Sequence, residues 1–131
     1  MVSVYFLDSS ALVKRYVEEN GSAWIQTLTE PKARNKLIIA RITWIEILSA
    51  FARRQREGTF APADAAKALQ SFRFDLDNQY QVVEVDRSLI ESAGQLVGKH
   101  PLRAYDAVQL ASALRILPAF ALAKTVSLLA C

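Results

Sequence analysis

Short apolar runs alternate with longer segments of helical spacing along the whole chain. Residues 4–7, 36–41 and 81–85 are apolar runs that predict three buried strands, and residues 124–129 give a weaker fourth. Between them, apolar side chains recur three and four positions apart, which is typical of helices packed on one face. Strands that alternate with helices predict an α/β fold, with a parallel sheet covered by helices on both faces.

Start and stop signals set the bounds of the predicted helices. Asp8 and Asp86 stand where an N-cap is expected, and Pro62 stands in a first helical turn. Thr43 and Glu46 have the S/T-x-x-E spacing of a capping box, which predicts that Thr43 caps a long helix. The predicted helices span 9–16, 23–28, 44–57, 62–78, 87–99 and 104–117.

Composition agrees with one globular domain over residues 1–131. Hydrophobic residues make up 52% of the chain, with only 4 Gly and 4 Pro, so we expect a compact core and no long linker. The one cysteine, Cys131, cannot form an internal disulfide, which favours a reducing cytosol. No signal-like amino terminus and no run near the ~20 apolar residues of a membrane span occur, so we expect a soluble, cytoplasmic protein.

The net charge gives little indication of what the protein binds. Sixteen Lys and Arg against thirteen Asp and Glu leave a net charge of +3, which is compatible with an anionic partner but common in ordinary proteins. Trp24 and Trp44 lie in apolar helical runs, so we expect both in the core.

Three acidic residues stand in unexpectedly apolar surroundings. Asp8 ends the first strand, Glu46 lies in ITWIEILSAF, and Asp106 lies in AYDAVQLASAL. Helices that are apolar on nearly every side are buried, so we expect these acids in the interior or on a cleft wall. All three lie near helix N-termini, which meet at one edge of a parallel sheet. The sequence therefore predicts that Asp8, Glu46 and Asp106 converge.

Converged carboxylates predict a divalent cation. Their mutual repulsion would force a proton onto one of them unless a cation neutralised the group. Oxygen ligands without nearby Cys or His favour Mg²⁺ or Mn²⁺ over zinc, and such sites catalyse hydrolysis at phosphorus. Ser10 and Thr43 are candidates to hold metal-bound waters in a second shell. Simpler roles stay open for each residue: helix caps for Asp8, Ser10 and Thr43, the capping box for Glu46, and a dipole contact for Asp106.

The same residues resemble the PIN-domain family, and in particular the VapC-like toxin ribonucleases of bacterial and archaeal toxin–antitoxin pairs. The resemblance lies in LDSSALVKRY around Asp8, the T-x-x-E from Thr43 to Glu46, and RAYDAVQLASAL around Asp106, and it covers residues 2 to about 115. It implies a Rossmann-like, three-layer α/β/α fold and a Mg²⁺- or Mn²⁺-dependent endoribonuclease that is the toxin of a type II pair. It also implies a homodimer, a small antitoxin partner that blocks the site, and metal-binding catalytic roles for Asp8, Glu46 and Asp106.

The carboxyl-terminal end departs from this pattern. Family members usually have a further strand after the last helix that supplies a fourth acid, whereas no acidic residue follows Asp106 here. The end of the domain is therefore expected to be atypical or shortened after about residue 117. This departure keeps a second function open, a PIN-fold module that engages an antitoxin or RNA without efficient cleavage.

Basic residues near the acidic motifs are candidate contacts to RNA phosphates. Lys14 and Arg15 follow Asp8, and Arg103 precedes Asp106. The cluster of arginines at positions 53, 54 and 56 could contact phosphates or interact favourably with the C-terminus of their helix.

The sequence disfavours an aspartate-nucleophile phosphatase. That class needs a D-x-D motif after its first strand, and here Ser10 stands where the second aspartate is required.

Overall fold

A four-stranded parallel sheet forms the centre of the molecule. The structure, a computed structural model, describes residues 3–116 and the strand at 126–129. The strands are β1 (Val4–Leu7), β2 (Lys36–Ala40), β3 (Tyr80–Val83) and β4 (Val126–Leu129), in the order β3-β2-β1-β4. The helices are α1 (Ser9–Tyr16), α2 (Ser22–Thr29), α3 (Thr43–Arg56), α4 (Pro62–Asn78), α5 (Arg87–Lys99) and α6 (Ala104–Ile116), and a short 3₁₀ helix spans Pro31–Ala33. The predicted α/β class with a parallel sheet is confirmed.

Alternating side chains along the strands build the two faces of the sheet. Leu7 and Ile39 point to a core made with α1, α2, α3 and α4, whereas Phe6 and Ile38 point to the other face, which α6 covers. Both faces are apolar because both are covered, so the strands are continuous hydrophobic runs. Helix α5 packs on α6 through Leu89 and its neighbours. The result is the expected three-layer α/β/α arrangement.

Local signals set several bounds as predicted. Helix α4 begins at Pro62, and α5 begins after Asp86, whose carboxylate accepts a hydrogen bond of 2.9 Å from the Leu89 amide. The first strand and α1 also have their predicted bounds, with Asp8 as the N-cap. Strand β3 ends at Val83, two residues earlier than expected.

Two expectations are wrong. Thr43 does not cap α3, because Ile42 occupies the N-cap position and the Thr43 side chain is fully buried. Trp24 does not lie in the core, since 57% of it is exposed. Trp44 is partly buried and packs against the core, stacked on Phe72 with ring centroids 5.4 Å apart.

The carboxyl-terminal end is only partly described. Strand β4 confirms the predicted fourth strand and pairs in parallel with β1, with Leu129 opposite Leu7. The expected atypical end after about residue 117 otherwise lies outside the described residues. Among the helices of the described ranges, none has the length and apolar character needed to cross a membrane.

Candidate active site

The three predicted acids come to one edge of the sheet, where the strands end. Asp8 directly follows β1, Glu46 lies in the first turn of α3 after β2, and Asp106 lies in the first turn of α6. Burial is the main reason that the pKa values of Asp8 and Glu46 are both raised. The negative charge of Asp106 raises both further, and that of Asp8 adds to the shift at Glu46. The three carboxylates therefore lie close enough to repel one another.

Asp8 caps α1 and still belongs to the acidic group. Its Oδ1 accepts hydrogen bonds from the Ala11 amide at 3.0 Å and the Ser10 hydroxyl at 2.8 Å. These bonds lower the pKa of Asp8, but burial outweighs them. A carboxylate has about four lone-pair sites, so capping a helix leaves room for further ligation. The cap role and a metal role are compatible for this residue.

Glu46 is held by neighbours on two other elements. Gln109 of α6 donates from Nε2 to Glu46 Oε1 at 2.6 Å and to Thr43 Oγ1 at 2.9 Å, and a hydrogen bond also joins the Ser9 side chain to Glu46. Thr43 and Glu46 are thus linked through the Gln109 amide, and they do not form the predicted capping box. Gln109 is almost fully buried, so this arrangement ties α3 to α6 under the site.

Asp106 lies at the surface, so of the two expected positions, the interior or a cleft wall, the interior is wrong for this acid. It is exposed, as are its neighbour Tyr105 at 60% and Ile45, next to Glu46, at 56%. The apolar stretches around Glu46 and Asp106 therefore have one open side. Asp8 and Glu46 are half-buried and Asp106 is exposed, and together they form an acidic rim at this edge of the sheet. Of the three, Glu46 lines the cleft that opens beside them.

The side chains do not stand in a finished metal-ligand geometry. Within the described ranges, no set of three Asp, Glu, His or Cys side chains is placed to hold one ion. The chemistry of the donors nevertheless fits Mg²⁺ or Mn²⁺, because the group combines carboxylate oxygens with hydroxyls and amide oxygens. Burial first, and mutual repulsion to a smaller extent, raises the pKa values of Asp8 and Glu46, and a cation would offset both effects.

A cleft of about 700 Å³ opens beside the acids and carries several cations. Glu46, Ser9 and Ser10 lie on one wall, and the other lining residues include Lys14, Arg53, Arg54, Arg103 and Tyr105. Two of the predicted phosphate contacts, Lys14 and Arg103, therefore border the same space as Glu46. A polyanion lying in this cleft would meet both the cations and the carboxylate rim.

Arg15 does not border this cleft, but lines a separate groove and forms an ion pair with Asp75. Its guanidinium donates to the Tyr80 hydroxyl at 2.8 Å and lies 3.3 Å from Asp75, with 13% of the side chain exposed. Tyr16 donates to the same aspartate at 2.6 Å and forms a short hydrogen bond with Tyr80. Arg15 thus pairs with a partly buried acid between α1, α4 and β3.

Four residues of the site are missing from the sequence-based prediction. Gln109 had a signal, because it and Ser112 are the polar exceptions in an otherwise apolar helix. Ser9 and Tyr105 adjoin predicted acids, but nothing in the sequence separates them from ordinary neighbours. Glu19 lines the cleft from the loop after α1, and its partners are set only by the tertiary fold.

Comparisons with known proteins agree with the fold. The family model described as PIN domain matches residues 5–116. Ribonuclease VapC45 and Ribonuclease VapC49, from two strains of Mycobacterium tuberculosis, are each 32% identical to this chain over 116 residues. Each alignment covers 88% of this chain and 78% of the relative.

Two solved structures share the fold at low sequence identity. The crystal structure of Mycobacterium tuberculosis VapC20, a sarcin-ricin loop cleaving toxin, superposes with a TM-score of 0.62 at 16% identity, covering 85% of this chain and 82% of that one. A toxin–antitoxin complex from Klebsiella pneumoniae gives a TM-score of 0.59 at 17% identity, covering 93% and 94%.

Proposed function

This chain belongs to the PIN-domain family, and from that premise we propose that it is a Mg²⁺- or Mn²⁺-dependent endoribonuclease, the toxin of a type II toxin–antitoxin pair. The observation that carries the proposal is the proximity of Asp8, Glu46 and Asp106 at one edge of the sheet, beside a cleft that Glu46 lines together with several cations. Relatives named as ribonucleases at 32% identity support the same activity.

Asp8, Glu46 and Asp106 would hold the metal ion. When bound, such an ion neutralises the phosphate oxygens and lowers the pKa of an attacking water. Asp8 is oriented by its bonds to α1, and Glu46 by Gln109, so both carboxylates have restricted freedom. Ser10 and Ser9 add hydroxyls next to these acids, and Thr43 acts through Gln109.

Single-stranded RNA is the substrate that the cleft suits. Arg103 and Arg53 provide cations for backbone phosphates, which gives affinity that depends on salt and not on sequence. The exposed ring of Tyr105, beside Asp106, offers a face on which a base can stack. The scissile phosphate would then lie over the acids, with the flanking nucleotides along the cations.

The protein partners follow from family membership. We propose a small antitoxin that covers the cleft, in line with the toxin–antitoxin complex among the structures that share the fold. We also propose a homodimer, which light scattering on the purified chain tests directly. A mass of one chain at micromolar concentration would remove the dimer from the proposal and leave the nuclease untouched.

Cleavage of a total RNA pool tests the activity. With Mn²⁺ or Mg²⁺, the wild type should cut and Asp106→Asn should not, because the third carboxylate is lost. Asp64→Asn is a matched control, since Asp64 lies in a separate groove with Lys67 and should leave cleavage unchanged. Equal cutting by the wild type and Asp106→Asn would refute the assigned site.

A second candidate is a PIN-fold module that binds antitoxin or RNA without cutting. One observation favours it: the acids of the described residues are not assembled to ligate one ion. RNA binding with no metal-dependent cleavage, and no heat of Mn²⁺ binding that depends on Asp8, would support this alternative over the nuclease.

A further inference from the structure

One anion already sits between two of the cations that line the cleft. Glu19, in the loop after α1, receives a hydrogen bond of 2.9 Å from Arg54 Nη2 at its Oε2. It receives another of 3.2 Å from Lys14 Nζ at its Oε1. The two cations come from different helices, α1 and α3, so the carboxylate bridges the cleft wall.

The bridge shows that both cations can reach a single oxyanion. Arg54 is steadied by a further bond to the Ala50 carbonyl, and Lys14 by one of 2.8 Å to the Asn20 carbonyl. An ammonium group has three donors, and these contacts use two of those of Lys14. The pair is therefore already positioned for an anion with several oxygens, such as a phosphate.

Glu19 is the most exposed member of the three. Its side chain is 29% exposed, against 15% for Lys14 and 18% for Arg54. It also lies in a loop, whereas its partners are fixed on helices. Burial alone would raise the pKa of Glu19, but the bonds from Arg54 and Lys14 lower it, so it is ionised at neutral pH. A loop carboxylate can swing outward and leave both cations in place.

We propose that Lys14 and Arg54 form a phosphate subsite of the cleft, and that Glu19 occupies it in the free protein as a competing anion. This inference rests on the proposed function, because the phosphate would belong to an RNA whose scissile bond lies over the acidic rim. A backbone phosphate displaces Glu19 on binding, so Glu19 lowers RNA affinity and its removal raises that affinity. Arg53, exposed beside the subsite, is not held by this bridge.

Glu18 provides a matched control. It is one residue away, has the same charge, and lines a separate groove on the other side of α1. Glu18→Gln and Glu19→Gln change the net charge equally, so long-range attraction to RNA changes equally. Any difference in RNA affinity between the two variants therefore measures the competition between Glu19 and a phosphate for Lys14 and Arg54.

Fluorescence anisotropy of a labelled 12-nucleotide uridine RNA, in EDTA and at several NaCl concentrations, tests the inference. Glu19→Gln should bind at least about three-fold more tightly than Glu18→Gln at 100 mM salt. Its plot of log K against log[NaCl] should be steeper by about 0.7 for each added phosphate contact. Adding Arg54→Gln to Glu19→Gln should abolish both gains. Circular dichroism confirms that each variant is folded.

The outcomes separate this inference from the proposed nuclease. Equal or weaker binding by Glu19→Gln than by Glu18→Gln, or no binding by either, would overturn the subsite even if Asp106-dependent cleavage occurred. Tighter, more salt-dependent binding by Glu19→Gln without Asp106-dependent cleavage would overturn the nuclease and leave the subsite standing.

Discussion

Replacing Gln109 by Met should weaken metal binding strongly while lowering the free energy of unfolding only slightly. The Gln109 amide is almost fully buried and is the link between α6 and Glu46 of α3. Methionine has a similar volume and shape but neither donates nor accepts strongly, so Gln109→Met removes the bonds without leaving a large cavity.

The effects on stability largely cancel. The bond of 2.6 Å to the Glu46 carboxylate is worth about 1.5–3 kcal/mol, and the bond of 2.9 Å to Thr43 about 0.5–1.5 kcal/mol. Against this loss, Gln109 Oε1 is buried without a hydrogen-bond partner in the described structure, and removing it relieves about 1–3 kcal/mol. We expect a net destabilisation of about 1 kcal/mol.

The effect on the site should be larger. Without Gln109, Glu46 loses its orienting donor on α6 and keeps the hydrogen bond with Ser9. Loss of such an outer partner typically costs about 10- to 100-fold in metal affinity or activity. We expect that loss in Mn²⁺ affinity by calorimetry and in RNA cleavage, with urea unfolding measured on the same preparations.

Gln79 offers a matched control. Its Nε2 donates to the Thr29 carbonyl at 2.5 Å, and its Oε1 is also buried without a partner in the described structure. Gln79→Met loses only one neutral bond, worth about 0.5–1.5 kcal/mol, against the same relief of about 1–3 kcal/mol, so it should leave stability unchanged or slightly raised. It should also leave Mn²⁺ affinity unchanged. If Gln109→Met bound Mn²⁺ as tightly as Gln79→Met, the orienting role of Gln109 would be refuted.

Three further predictions concern the core, the RNA surface and pH. Phe72→Ala should lower the unfolding free energy in urea by about 3–5 kcal/mol, because the ring is fully buried and stacks on its aromatic neighbours; a loss below 1 kcal/mol would contradict this. Arg103→Ala should weaken RNA binding more than Lys67→Ala, and equal losses in filter binding would count against the cleft. Arg115 lowers the pKa of Asp86 to about 2, so the stability advantage over Asp86→Asn should be full above pH 4 and shrink towards pH 2; a constant difference would argue against the ion pair.

Much of the fold could be predicted because its signals are local. Pro62 and Asp86 set helix starts through their own backbone and side-chain chemistry, and the bounds of α4 and α5 agree with the prediction. The apolar runs of β1 and β2 indicated strands covered on both faces, as observed. The strand order β3-β2-β1-β4 was not predicted, because no local pattern specifies which strands pair.

The candidate site was predicted in outline and missed in detail. The order and spacing of the acids brought Asp8, Glu46 and Asp106 to one edge, but apolar neighbours in sequence did not reveal that Asp106 faces solvent. The capping-box pattern assigned Thr43 a local partner, whereas Gln109 from another helix takes its hydroxyl. Arg15 likewise pairs with a residue sixty positions further along the chain, Asp75, which no local pattern indicates.

Anomalous diffraction from crystals soaked in Mn²⁺ tests the central claim most directly. We expect one strong peak at the sheet edge, within about 2.3 Å of carboxylate oxygens from at least two of Asp8, Glu46 and Asp106, with the side chains drawn together relative to the metal-free protein. A peak elsewhere, or no peak at a Mn²⁺ concentration that supports cleavage, would contradict the account.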